Sequence, residues 1–204
     1  MCYYEKIYRK LQTMKNIHGT VTEQNLLKAF AGESQARNRY NLFAEVAKQE
    51  GYEQIMGIFA ETAEQEYAHA SRFFKFLDGG MVTITAEYPA GRIGTTTENL
   101  LEAAEGEKLE WSALYFDFEQ TAIDEGFKDV AAAFKKIAEV EAFHEWRYRR
   151  MLQRLEDGSM FMRADTITWQ CRNCGYIYEG VKPPVVCPAC LVTQAYFEPK
   201  RDNY

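Results

Sequence analysis

From residue 22 to residue 156 apolar side chains return every three or four positions. Four stretches keep that spacing long enough to predict helices over 22–49, 53–77, 97–124 and 128–156. The first stripe runs through Leu26, Phe30 and Tyr40, the second through Ile55, Phe59, Thr62, Phe73 and Leu77. The third runs through Leu100, Trp111, Leu114 and Phe118, and the fourth through Phe134, Ile137, Tyr148 and Leu152. Thr22, followed by Gln24, and Thr97, followed by Glu98, are the expected caps. Short breaks at Glu50-Gly51 and Glu125-Gly126 predict two antiparallel hairpins, whereas residues 78–96 are long, glycine-containing and not helical in pattern, as a crossover would be.

Two hairpins joined by one long crossover have the connectivity of ferritin-like bundles. An internal repeat supports this. A shift of 75 residues pairs Glu50 with Glu125, Gly51 with Gly126, Phe59 with Phe134, Ala63 with Ala138, Glu66 with Glu141 and His69 with His144. A shift of 74 pairs Leu26 with Leu100, Gly32 with Gly106 and Glu33 with Glu107, so the bundle reads as two related hairpins.

Each apolar stripe also carries a glutamate, Glu33, Glu66, Glu107 or Glu141, where an unpaired charge would be strongly unfavourable. Any single helical glutamate is usually a solvated surface residue, and a lone histidine is usually a hydrogen-bonded core residue. Here the set matters. Glu66-x-x-His69 and Glu141-x-x-His144 each present an oxygen and a nitrogen from one helical turn, and Glu33 and Glu107 supply the other two helices. That is the ligand set of di-iron and di-manganese carboxylate bundles. Glu110 is a further carboxylate one turn beyond Glu107, while Glu64, Glu105 and Glu139 fall on the outer faces and His18 lacks such company. Tyr40 and Tyr115, seven and eight residues after Glu33 and Glu107, are in phase to hydrogen-bond a metal-bound carboxylate, with simple core packing as the alternative.

Composition changes near residue 157. Pro89 is the only proline before it, and after Asp157-Gly158 come four more prolines and two CxxC pairs, Cys171/Cys174 and Cys187/Cys190. Four thiolates in two knuckles predict a tetrahedral metal site, and so short a segment must draw much of its stability from the metal. The spacing suits iron or zinc; the aromatic shell of Trp169, Tyr176, Tyr178 and Phe197 favours iron. The expected domains are an N-terminal extension 1–21 with a lone Cys2, a bundle 22–157, and a linker with the four-cysteine domain 158–204. With 47% hydrophobic and 26% charged residues the chain is globular and not disordered, and a net charge of −6 argues against nucleic acid as a partner. No run of 18 apolar residues and no signal-peptide stretch occur, so no membrane association and a cytoplasmic location are expected.

The segments AFAGESQARNRY around Glu33, GEKLEWSALY with Glu107 and Glu110, the two Glu-x-x-His pairs and CGYIYEG after Cys171 resemble the rubrerythrin family. The resemblance covers about residues 22–156 and a rubredoxin-like segment over about 166–199. It implies an all-α ferritin-like four-helix bundle with a small, β-containing rubredoxin-like domain at the C-terminal end. It also implies a di-iron centre held by Glu33, Glu66, His69, Glu107, Glu110, Glu141 and His144, with Glu66 and Glu141 bridging, and a rubredoxin-type iron on Cys171, Cys174, Cys187 and Cys190. By the same resemblance Glu110 exchanges with His69 as the iron changes oxidation state. One residue departs from the pattern: Leu191 stands where the family has the glycine that Gly175 provides after Cys174, so strain is expected at the second knuckle.

The expected activity is reduction of hydrogen peroxide to water as an oxidative-stress defence, with Glu110, Tyr40 and Tyr115 assisting and electrons relayed through the four-cysteine iron. The resemblance implies rubredoxin or a rubredoxin reductase-type protein as donor. It also implies a homodimer in which one subunit's small domain serves the other's bundle, with exchange of hairpins between chains as a further arrangement. The rival readings are a ferroxidase or iron-handling protein on the same bundle, and a non-enzymatic zinc-ribbon interaction module.

Overall fold

A computed structural model describes residues 16–201; Cys2 and residues 1–15 of the expected N-terminal extension lie outside the described residues. Helices α1 (Val21–Gln49) and α2 (Glu53–Phe74) form the first hairpin. The second is α3 (Thr96–Leu109), a π-helical turn (Glu110–Leu114), α4 (Tyr115–Asp124) and α5 (Lys128–Glu156). The four-helix, ferritin-like bundle is thus as the periodicity predicts, with differences at the ends. The caps are Thr20, accepting from the Glu23 amide, and Thr95, in a capping box with Glu98, because these threonines have the extended backbone a cap requires. Helix α2 ends at Phe74 and not at 77, ahead of Gly79 and Gly80, which both take positive φ.

Both hairpins turn by the same device. Gly51 and Gly126 adopt φ of 83° and 79°, and the amides of Tyr52 and Phe127 reach back to the carbonyls of Ala47 and Ala122. The paired glutamates beside them each cap a helix of the opposite hairpin. The Glu125 carboxylate accepts from the Val21 and Thr22 amides and the Thr22 hydroxyl, and Glu50 accepts from the Thr96 amide. Each places a negative charge at a helix N-terminus, where free N–H groups and the helix dipole favour it.

The two repeat offsets have a structural cause. Between Glu107 and Tyr115 the shift changes from 74 to 75, and the extra residue is taken up by the π-helical turn at Glu110–Leu114. The insertion rotates the face of the helix. Trp111 and Leu114, expected on the core stripe, are 37% and 38% exposed, while Tyr115 turns inward and is buried. Trp111 instead donates from its indole to Glu145.

Two apolar clusters fill the bundle. One, around Tyr40, Phe43, Phe59, Leu100 and Tyr148, lies toward the 50/95 end; the other, around Leu26, Phe73, Tyr115 and Phe134, lies toward the 20/125 end. Between them sit the glutamates. The C-terminal domain is an antiparallel sheet, β1 (Ile167–Cys171), β2 (Ile177–Gly180) and β3 (Phe197–Pro199), ordered β2-β1-β3 around buried Trp169, Cys171, Cys187 and Phe197. It rests on α2, where Gly57 leaves room for the Arg172 guanidinium and where a Cβ would collide with it. No helix among the described residues is long and apolar enough to cross a membrane.

Candidate metal centres

Glu33 on α1, Glu66 and His69 on α2, Glu107 on α3, and Glu141 and His144 on α5 converge at mid-bundle. The i, i+3 spacing of each Glu-x-x-His pair puts both side chains over the same turn. Ligand atoms fall into two overlapping groups, Glu33/Glu66/His69/Glu141 and Glu66/Glu107/Glu141/His144, each within 4.8 Å. Glu66 and Glu141 belong to both, as bridging carboxylates must. His69 Nδ1 lies 2.9 Å from Glu141 Oε1 and 3.1 Å from Glu66 Oε2. His144 Nδ1 lies 2.7 Å from Glu141 Oε2 and 3.2 Å from Glu66 Oε1.

All of these side chains except His69 are essentially sealed from solvent. Glu33 Oε2, Glu66 Oε1, Glu107 Oε2, both Glu141 oxygens and His144 Nδ1 are buried without a hydrogen-bond partner. Six such orphans facing one another would be prohibitively costly as they stand, and two divalent cations satisfy them all. Donor chemistry agrees, each half-site offering one imidazole nitrogen and carboxylate oxygens, a set that suits iron.

The surrounding groups orient this set. Tyr40 donates to Glu107 Oε1 and Tyr115 to Glu33 Oε1, each at 2.5 Å. The phenols therefore act crosswise, each on the glutamate of the opposite hairpin. Burial and then the facing carboxylate, Glu107 or Glu33, hold both phenols well above their usual pKa, so they remain proton donors. Each leaves the other oxygen of its carboxylate turned to the centre. His144 Nε2 lies 2.9 Å from Gln65 Oε1; donation there leaves Nδ1 bare as a ligand. Gln65, with no periodicity or motif to mark it, was not legible as a site residue in the sequence.

Without cations, protons must do their work. Burial, then Glu66 and Glu141, raises Glu33 well above the usual carboxylate range, and burial and Glu66 raise Glu107 to about 8. Burial opposes charge on Glu66 too, but the His144 and His69 imidazoles facing its two oxygens outweigh it and leave about 2. Burial likewise opposes charge on His144, yet Glu107, Glu141 and Glu66 raise it to about 12, and Glu141, Glu33 and Glu66 raise His69 as well.

Glu110 stands apart. It opens the π-helical turn, half-buried, outside both ligand groups, and its carboxylate shares with the Tyr88 ring the space beside Gly32. Burial and Glu107 hold its carboxyl well above the ordinary range. His18 pairs with Glu23 at 3.0 Å, and Glu64, Glu105 and Glu139 face solvent.

The second centre is the four-cysteine cluster. Cys171 and Cys190 Sγ are 3.8 Å apart and Cys174 and Cys187 Sγ 3.7 Å, far beyond a disulfide. Those separations match the edge of about 3.8 Å of a tetrahedron with metal–sulfur bonds of about 2.3 Å. The two knuckles are built alike: the Gly175 and Leu191 amides reach the Cys171 and Cys187 carbonyls. Leu191 takes φ of 63°, the one non-glycine positive φ among the described residues, so the leucine accepts the conformation that Gly175 adopts freely at 78°. That costs on the order of 1 kcal/mol. The Asn173 side chain and the Val192 amide lower Cys190 to about 6, favouring thiolate.

The family model described as Rubrerythrin matches residues 24–152, and a second, described as "Rubrerythrin, rubredoxin-like domain", matches residues 169–198. The chain belongs to the rubrerythrin family. It is 60% identical to a rubrerythrin of Porphyromonas gingivalis over 97% of this chain and 99% of that one. Against a rubrerythrin of Nitratidesulfovibrio vulgaris the identity is 49%, over 91% and 97% of the two chains. Among solved structures, fully reduced nigerythrin superposes with a TM-score of 0.60 at 29% identity, covering 92% of this chain and 90% of that one. A Desulfovibrio desulfuricans bacterioferritin shares the fold at 22% identity and a TM-score of 0.59, over 68% and 81% of the two chains. As a rubrerythrin-family oxidoreductase this chain carries a ferritin-like di-iron site and a rubredoxin-like four-cysteine site.

Proposed function

We propose that this protein is a cytoplasmic peroxidase that reduces hydrogen peroxide to water, H2O2 + 2 e− + 2 H+ → 2 H2O, with electrons entering through the four-cysteine iron. The observation that carries this reading is the pair of half-sites sharing Glu66 and Glu141. Glu33, Glu66, His69, Glu107, Glu141 and His144 would hold two iron ions there, which when bound would supply the two electrons of the reduction. Around them the chain orders the reaction. Tyr40 and Tyr115 fix Glu107 and Glu33, Gln65 fixes His144, and the two apolar clusters exclude water. Glu110, half-buried at the start of the π-helical turn, is the further carboxyl from which a proton can pass to product water.

Rubredoxin or a rubredoxin reductase-type protein is the proposed donor, and the working unit a homodimer in which one subunit's small domain serves the other's bundle. Within one chain the first knuckle and the ligand turn are set apart along α2. Arg172 of the first knuckle meets the bundle at Gly57, nine residues before Glu66, which at 1.5 Å per residue is roughly 14 Å along the helix. Exchange of hairpins across the crossover is the other assembly to test for.

The iron-loaded protein, supplied with reduced rubredoxin, is expected to turn over peroxide faster than oxygen. Preference for oxygen would favour iron oxidation as the activity instead. Glu110→Ala is expected to slow peroxide turnover at least tenfold with helicity intact, and unchanged turnover would remove Glu110 from the mechanism. Zinc at the cysteines, without ferric–thiolate absorption, would remove the electron entry.

A further inference from the structure

A cavity of about 640 Å3, lined by none of the metal-centre ligands, opens between α2, α5 and the residues that follow β3. Among the described residues five cationic side chains line it, Arg147, Arg150, Arg154, Lys200 and Arg201, against one lining carboxylate, Glu61. Glu61 is already engaged by Arg147 at 3.3 Å. Arg150 donates to the neutral Gln153 Oε1, and among the described residues neither Arg150 nor Arg154 forms an ion pair. Arg154 is half-buried, and its burial together with Arg163, Arg150 and Arg201 pushes it down to about 10; Asp157, tied to Ser159, only partly offsets this. In a chain of net charge −6, Arg150 and Arg154 thus stand side by side as guanidinium groups with no carboxylate partner among the described residues.

The adjoining wall is aromatic. Phe143 and Trp146 stack on one another with ring centroids 5.5 Å apart and planes at 18°, and they are 53% and 59% exposed. Guanidinium groups bind phosphoryl oxygens in a bidentate fork, and an exposed indole face stacks a heteroaromatic base. A cavity of this volume falls within the range of small-molecule sites, about 300–1,000 Å3.

We propose that this cavity binds a nucleotide, its phosphates held by Arg150 and Arg154 and its base laid on the open face of Trp146. The assignment does not depend on the peroxidase reading. Inorganic phosphate offers the guanidinium groups the same chemistry without the ring, and adenosine the ring without the charge. Each isolates one wall.

The test is calorimetric titration of the iron-loaded full chain with ADP and ATP, in parallel with inorganic phosphate and with adenosine, while following tryptophan fluorescence. Saturable binding of ADP with quenching, weakened by salt, is expected, and at least tenfold weaker binding of phosphate and of adenosine. Arg150→Gln with Arg154→Gln, and separately Trp146→Ala, should each weaken ADP binding about tenfold while iron content and visible spectrum stay unchanged. No saturable binding of either nucleotide at millimolar concentration would overturn the proposal and leave the cluster to an acidic protein surface. Affinity for ADP that is unaffected by Trp146→Ala and matched by phosphate would overturn it too, as an adventitious anion site only.

Discussion

Buried glutamates normally lose their charge or find a partner, and both outcomes occur among the central ligand residues: Glu33 and Glu107 favour the protonated form, while Glu66 keeps its charge against His144 and His69. In the metal-free chain Glu33, Glu107, His69 and His144 all bind protons more tightly folded than unfolded. Their stabilisation is therefore complete below the ordinary values of 4.5 and 6.5, and it drains away as pH rises through about 8 for Glu107 and on toward about 12 for His144. Glu66 works in the opposite sense, stabilising above 4.5 and losing that contribution as pH falls toward about 2. The metal-free protein should thus melt at steadily lower temperature from about pH 5 to about pH 9, and the iron-loaded protein should not, because cations replace the protons. Parallel melting profiles for the two forms would contradict proton-for-metal exchange at this site.

At the scale of elements, the hairpin termini and the π-helical turn carry the most information. The repeated Glu-Gly pairs end one helix and begin another, since each glycine takes the left-handed turn and each glutamate caps a distant N-terminus. Glu125 satisfies two amides and a hydroxyl, Glu50 a single amide. Glu125→Ala is expected to destabilise the bundle by about 1–2 kcal/mol and Glu50→Ala by less, as for the loss of other N-terminal caps. Denaturant unfolding of the iron-loaded chain measures this, and equal losses would show that hydrogen-bond number does not set the effect. The π-helical turn breaks the symmetry of the two hairpins, setting Glu110 at its start and bringing Tyr115 into line with Glu33.

For the whole molecule, the di-iron ligands occupy the gap between two apolar clusters, while the small domain is held at one end of the bundle by a glycine-sized gap. Glycine inside a helix ordinarily costs about 1 kcal/mol relative to alanine. Gly57→Ala should therefore stabilise helix α2 locally yet drive the Arg172 guanidinium away from it and loosen the domain. Faster amide exchange in residues 157–166, with helicity and ferric–thiolate absorption retained, is the expected signature. Undiminished protection there would mean that other contacts, such as the stack of Tyr52 on Phe161, hold the domain alone.

The ligand residues, the four helices, the hairpin turns and the four-cysteine module were legible in the sequence because each follows a local period: 3.6 residues for a helix face, three for Glu-x-x-His, three for CxxC. Even the π-helical turn left a trace, the change of repeat offset from 74 to 75. Which partner each group meets was decided by packing alone. The crosswise bonds of Tyr40 to Glu107 and Tyr115 to Glu33, the choice of Gln65 for His144, and the outward turn of Trp111 join residues 34 to 82 positions apart. No period along the chain encodes a contact made between helices, and only their assembly sets it.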